Sequence, residues 1–274
     1  MKTLFFGTSA FAVPSLRVVA ARTELAGVVT QPDRPAGRGL RLTPSPVKSA
    51  ALELGLEIYE PERMREFAER IARDEYDLFI LASYGRLLPQ ALLDLPRLGA
   101  LNVHPSLLPK YRGATPIQNA IANGDSETGV TIMLMDAGLD TGDVVLAQSV
   151  TIDPIENYGM LHDRLAEIGA ALLARALDSA AGGEVPRSPQ RGVASLTRPL
   201  RKRDLMLDLE LPAKRIVDKV RSLSPQPAAR AMLGGKVVKV LRAHESADGA
   251  LIIDELIAPD RGRMSGEEYR RTCA

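Results

Sequence analysis

From residue 4 to residue 181 the chain alternates short apolar runs with segments of helical period, and that alternation most restricts its fold. The runs lie at 4–7, 25–30, 56–59, 78–82, 100–104 and 130–135, with helical patterns at 13–21, 47–55, 64–73, 116–123 and 160–181. Strands separated by helices are joined by crossovers, so a mostly parallel sheet covered by helices is expected. Pro14 fits the opening turn of the first helix. Residues 143–152 are expected to add an antiparallel or edge strand. With aromatics at 4% and no Trp, the core is expected to be built from Leu, Val, Ile and Ala.

Beyond Gly182-Gly183 the pattern changes. A stretch rich in Pro and Arg reads as a linker. Short strands are then expected at 204–209, 228–233, 236–244 and 250–257, with helices at 213–222 and 267–271. The resulting division is 1–185 for the main domain, 186–200 for the linker and 201–274 for a small β-rich domain. At 274 residues, a large α/β domain with a smaller companion suits the length. No apolar run approaches the roughly 20 residues of a membrane span, and the amino terminus enters a strand almost at once, so a cytoplasmic protein is expected. The single Cys excludes an internal disulfide and a Cys-rich zinc site.

The net charge of +1 conceals two halves of opposite sign. Residues 1–185 carry 17 Lys and Arg against 23 Asp and Glu, a net of −6; residues 186–274 carry 18 against 11, a net of +7. A basic second part suits a polyanion such as a phosphate backbone, and it equally suits a well-solvated small domain.

Chemistry concentrates in two segments. Asn102 and His104 end the run at 100–104, and as alternate residues of a strand they share a face about 7 Å apart. An amide donor beside an ionisable imidazole suits a carbonyl oxygen that becomes negative during acyl transfer. Both could equally be ordinary hydrogen-bonding residues at a strand end. Asp140 sits between Gly138 and Gly142 in a turn that could aim its carboxylate, or bond its own backbone. Beside His104 it would raise the imidazole pKa and favour the cation. The stretch 31–41 holds Arg34, Arg38 and Arg41 among Gly and Pro, too many for regular structure. It reads either as a mobile surface loop or as a basic finger that orders on an anionic partner. The turn after the first strand, Gly7-Thr8-Ser9-Ala10-Phe11, lacks the G-x-G-x-x-G spacing, which disfavours a nicotinamide cofactor. His162 and His244 stand alone as structural or surface residues, and no metal cage is visible.

The run Ser106-Leu107-Leu108-Pro109-Lys110-Tyr111-Arg112-Gly113, with Asn102 and His104 before it and Glu127 to Thr131 and Asp136 to Asp143 after it, resembles the formyltransferases that use 10-formyltetrahydrofolate. Residues 31–39 with Ser45-Pro46-Val47-Lys48 resemble the branch whose acceptor is methionine carried on initiator tRNA. The resemblance implies a Rossmann-like amino-terminal domain with helices on both faces of its sheet, a smaller, truncated β-barrel-like carboxyl-terminal domain, and no metal. It implies a catalytic trio of Asn102, His104 and Asp140. It places the folate against Ser106, Leu107, Leu108 and Pro109, with backbone at Tyr84, Gly85, Leu87, Asp136, Gly138 and Leu139 around the pterin, and sets Arg34, Arg38 and Arg41 on the tRNA. Ser9 and Thr115 depart from the family's usual Pro and Ala, and Ser224-Pro225-Gln226-Pro227 stands where a Trp-bearing motif is usual. Transfer to a sugar amine, to glycinamide ribonucleotide or to water is the nearest alternative within the enzyme class. A non-catalytic RNA-binding module is the alternative outside it.

Overall fold

A computed structural model describes residues 1–36, 41–259 and 261–273, and for 34–36, 41 and 273 the backbone alone. The chain divides into two compact units: 1–112 with 129–149 and 163–195, and 113–128 with 150–162 and 196–274.

The first unit opens with β1 (Lys2–Gly7), α1 (Val13–Arg22) and β2 (Glu24–Val29). The hairpin strands β3 (Arg34–Ala36) and β4 (Arg41–Thr43) precede α2 (Pro46–Glu53), whose first turn is capped by the Ser45 hydroxyl accepting from the Lys48 amide at 3.0 Å. Next come β5 (Ile58–Tyr59), α3 (Met64–Ile71), β6 (Leu78–Ala82), the short α4 (Gln90–Leu93), β7 (Ala100–His104) and β8 (Arg112–Gly113). Helix α5 (Pro116–Ala122) belongs to the second unit. The strands β9 (Glu127–Leu134) and β10 (Val144–Thr151) complete the sheet, and α6 (Tyr158–Ala181) follows, its residues from 163 onward in the first unit.

The seven sheet strands run in the order β10-β9-β7-β6-β1-β2-β5, which leaves β10 on an edge as expected. The pairs β5–β2, β2–β1, β1–β6 and β6–β7 are parallel, while β9 lies antiparallel to β7. Both faces of β1 and β6 are buried, which is why these strands read as nearly continuous apolar runs. The aliphatic core expected from composition is present, since most of the buried apolar residues are Leu, Val, Ile and Ala. All five phenylalanines are buried, and Phe6 packs against Phe79 and Tyr84 at centroid separations of 5.3 and 5.6 Å. Each such ring contributes about 1.5–3 kcal/mol by burial, as a buried Leu or Ile does, so the aromatics add to the aliphatic core without replacing it.

The second unit continues with β11 (Leu196–Thr197), α7 (Ala213–Leu223), β12 (Ala229–Leu233), β13 (Lys236–Glu245), β14 (Leu251–Ala258), β15 (Gly262–Ser265) and α8 (Gly266–Cys273). The last four strands form an antiparallel sheet in open order β12-β13-β14-β15. Helix α7 buries Ala213, Ile216, Val220 and Leu223, a stripe at helical spacing that joins Val238, Val240 and Leu256 in one core. The strand expected at 204–209 is not formed. Residues 202–205 make a 3₁₀ turn instead, because the Asp204 carboxylate accepts from the Arg201 amide at 2.7 Å and from Arg198 at 2.6 and 2.8 Å. The strand β15 was not anticipated. No helix among the described residues is long and apolar enough to cross a membrane.

Candidate active site

Alternation along β7 turns Leu101 and Val103 away from Asn102 and His104. Both apolar residues are buried to 2% exposure or less, which fixes the strand's register and hence the face that carries the polar pair. His104 is itself buried and Asn102 half-buried. The Asn102 amide makes no side-chain hydrogen bond among the described residues.

Register alone would keep Asp140 away from this pair. Because β9 runs antiparallel to β7, His104 pairs with Thr131, and Leu134, at the end of β9, pairs with Leu101. The next residue, Met135, gives its amide to the Ala100 carbonyl at 2.7 Å. The loop after β9 therefore leaves four residues from His104, roughly 13 Å along the strand, and must fold back.

Its local chemistry lets it do so. The Asp136 carboxylate accepts from the Gly138 amide at 3.0 Å and the Thr141 hydroxyl at 2.6 Å. A Cβ on Gly138 would strike Thr141, and one on Gly142 would strike the Leu134 carbonyl, so the turn closes only around glycine at both places. Asp140 occupies the left-handed region at φ 51°, which Asp tolerates better than most residues. Its Oδ2 comes to 3.6 Å from Nδ1 of His104.

The other imidazole nitrogen, Nε2, lies 3.0 Å from the Tyr111 carbonyl. A carbonyl only accepts, so Nε2 carries a hydrogen and donates it. Burial pushes the His104 pKa below its ordinary value; Asp140 and the Tyr111 carbonyl pull it up by less. Loss of hydration at the enclosed imidazole thus opposes the cation that the neighbouring carboxylate favours. Each ring nitrogen faces an acceptor, Nδ1 the Asp140 carboxylate and Nε2 the Tyr111 carbonyl.

The residues expected around the folate divide into two groups. Ser106 to Pro109 follow β7 directly, at the same end of the sheet as the 83–89 loop after its parallel neighbour β6, where open α/β sheets form their crevice. Thr131, fully buried on β9, donates from its hydroxyl to the Ser106 carbonyl at 2.7 Å and accepts from the Leu108 amide at 3.2 Å. The Ser106 hydroxyl donates to the Lys110 carbonyl at 2.6 Å. The Tyr84 side chain is committed to the core, its hydroxyl against Met64 sulfur at 3.1 Å, while its carbonyl accepts from Thr8 and Gln31 at 3.0 and 2.7 Å. Gly85 has φ 77°, and Leu87 and Leu139 are exposed. Asp136, Gly138 and Leu139 share the folded-back loop with Asp140.

Part of the basic stretch is regular, contrary to expectation: Arg34 pairs with Thr43 and Ala36 with Arg41 in the β3–β4 hairpin. Arg38 lies outside the described residues, as do the side chains of Arg34 and Arg41. The hairpin's base is tied down. Lys48 donates to Asp33 at 2.8 Å and to Glu60 at 2.9 and 3.0 Å, and both carboxylates raise its pKa.

Sequence reasoning missed Thr131, Gln190 and Ser195. A buried hydroxyl within an apolar strand is a signal that could have found Thr131; nothing marked the other two. His244, expected to be isolated, bonds the Asp254 carboxylate at 2.8 Å and is exposed. Among the described residues no cluster of three His, Cys, Asp or Glu is arranged to hold a metal ion. A cavity of about 400 Å³ in the second unit, lined by Leu233, Leu251, Ile253 and Tyr269, is apolar and contains none of the trio.

A family model described as "Formyl transferase" matches residues 1–177, and one described as "Formyl transferase, C-terminal domain" matches 199–248. A relative named methionyl-tRNA formyltransferase, from Pelobacter propionicus, is 46% identical, with 98% of this chain and 92% of that protein aligned. Among solved structures, a methionyl-tRNA formyltransferase from Clostridium thermocellum shares the fold with TM-score 0.64 at 15% identity, over 94% of this chain and all of that one. HypX from Aquifex aeolicus, solved with tetrahydrofolic acid, gives TM-score 0.68 at 17% identity over all of this chain and 47% of that one.

Proposed function

The chain belongs to the formyl transferase family, and from that premise we propose that it transfers the formyl group of 10-formyltetrahydrofolate to the α-amino group of methionine esterified to initiator tRNA. The unit made of residues 1–112, 129–149 and 163–195 carries the chemistry, and the basic stretch 201–274 holds tRNA together with Arg34, Arg38 and Arg41. The observation that carries this reading is the folded-back loop, which delivers Asp140 to His104 beside an unengaged amide on the same strand face.

The acceptor amine, with a pKa near or below about 8, is neutral often enough near pH 7 to attack. As its nitrogen bonds to the formyl carbon, the carbonyl oxygen gains charge and the Asn102 amide donates to it. The attacking nitrogen then carries a surplus proton. His104 takes it at Nδ1, directly or through water, and the new cation is held by the Asp140 carboxylate. The same proton moves to N10 as the bond between carbon and N10 breaks, leaving formyl-methionyl-tRNA and tetrahydrofolate. The relay requires His104 to be neutral when the amine attacks, because a cation would have no place for the amine's proton, and burial favours that form.

The test is formylation of charged initiator and elongator tRNA by purified protein with 10-formyltetrahydrofolate. Preferential formylation of the initiator, with a steep loss of acceptor binding as salt is added, supports the reading. Salt-insensitive transfer to a small amine would replace tRNA with a small acceptor.

A further inference from the structure

We propose that Gln190 is a positioning residue for this transfer, holding the Asp140 backbone so that its carboxylate stays against His104; the inference rests on the reading of the trio given above. Gln190 lies in the stretch that sequence patterning reads as a linker. Its Nε2 donates to the carbonyls of Asp140 and Gly142, at 2.8 Å each. Its Oε1 accepts from Nε and Nη2 of Arg112 at 3.1 and 2.6 Å. A primary amide has two donors and an acceptor on one plane, so this side chain serves both carbonyls while a guanidinium locks its far end.

The same stretch also reaches the other half of the pair. The Ser195 hydroxyl accepts the Tyr111 amide at 2.8 Å, and its carbonyl accepts the Arg112 amide at 2.9 Å. Tyr111 in turn supplies the carbonyl that fixes His104 Nε2. Ser188 exchanges two backbone bonds with Val144, just beyond the Asp140 loop, at 2.8 and 2.9 Å. Residues 188–195 thus form a strap with one anchor on each partner. Asp140 and His104 come from loop and strand segments that share no direct backbone pairing, and their 3.6 Å separation is beyond a direct hydrogen bond. How firmly the carboxylate holds the imidazolium depends on that separation, and the strap sets it.

The experiment compares full-length wild type with Gln190→Glu and Gln190→Asn, reading kcat, folate KM and the titration of the His104 imidazole by NMR without substrate. The chain has three histidines, so His104→Gln assigns the resonance. Gln190→Glu keeps the shape and the Arg112 pairing but turns a carboxylate toward two carbonyls; Gln190→Asn keeps the amide and falls short of them. We expect kcat to drop about tenfold or more, folate KM to stay within about twofold, and the His104 midpoint to move further down as its carboxylate is displaced. Wild-type kcat in both variants overturns the proposal. So does a lower kcat with an unmoved His104 titration, because a merely structural contact would behave that way. If one variant fails to fold, the other decides. If wild type itself formylates nothing, the functional reading fails, while the titration still tests the strap.

Discussion

Nδ1 of His104 stands 3.6 Å from Oδ2 of Asp140, while its Nε2 hydrogen is committed to the Tyr111 carbonyl. Any further proton on this imidazole must therefore sit between the two side chains. A second proton on this ring has one position, and that position faces a carboxylate.

Removing the carboxylate should stop the relay without emptying the folate site. We expect Asp140→Ala to lower kcat by about 10²-fold or more, the scale of a lost proton-transfer group, with folate affinity within about threefold of wild type. Equilibrium binding of folate alongside single-turnover kinetics checks both parts.

The depressed His104 pKa has a stability consequence of definite sign. In the unfolded chain His104 titrates near 6.5; in the folded protein it titrates lower. Between those values the unfolded state binds more protons, so stability rises with pH. Denaturation midpoints should fall as pH drops through about 6.5 and lose this dependence below the folded-state value. His104→Gln should lack that component.

Thr131 tests the turn that follows β7. Thr131→Val keeps the shape but strands the Ser106 carbonyl and the Leu108 amide in a buried place. We expect a loss of about 2–3 kcal/mol in chemical denaturation and a raised folate KM.

Lys48 tests whether the hairpin's base matters to the acceptor. Lys48→Met leaves Asp33 and Glu60 without their shared cation. We expect the KM for methionyl-tRNA to rise several-fold, with folate KM unchanged and faster proteolysis between residues 31 and 45. Equal KM for tRNA in both proteins would separate the hairpin from acceptor binding.

Much of this site can be read from the chain because its determinants are local. Period-two alternation at 100–104 places Asn102 and His104 on one face, and two glycines two residues either side of Asp140 announce a turn that aims a carboxylate. What was not legible depends on distance along the chain. Gln190 reaches back 50 residues to the Asp140 carbonyl and Ser195 reaches back 84 to the Tyr111 amide, from a stretch with no periodicity of its own. The downward pull of burial on the His104 pKa is likewise a product of enclosure, which no spacing reports. At 202–205 the short-range bonds of Asp204 prevailed over a strand-like pattern.

The most direct measurement is the rate of formyl-methionyl-tRNA formation from charged initiator tRNA and 10-formyltetrahydrofolate, followed with tetrahydrofolate release in wild type and Asp140→Ala. We expect one tetrahydrofolate per formyl group transferred by wild type, and a rate about 10²-fold lower in the variant. Equal rates in the two proteins, or folate turnover with no formyl group on the tRNA, would contradict it.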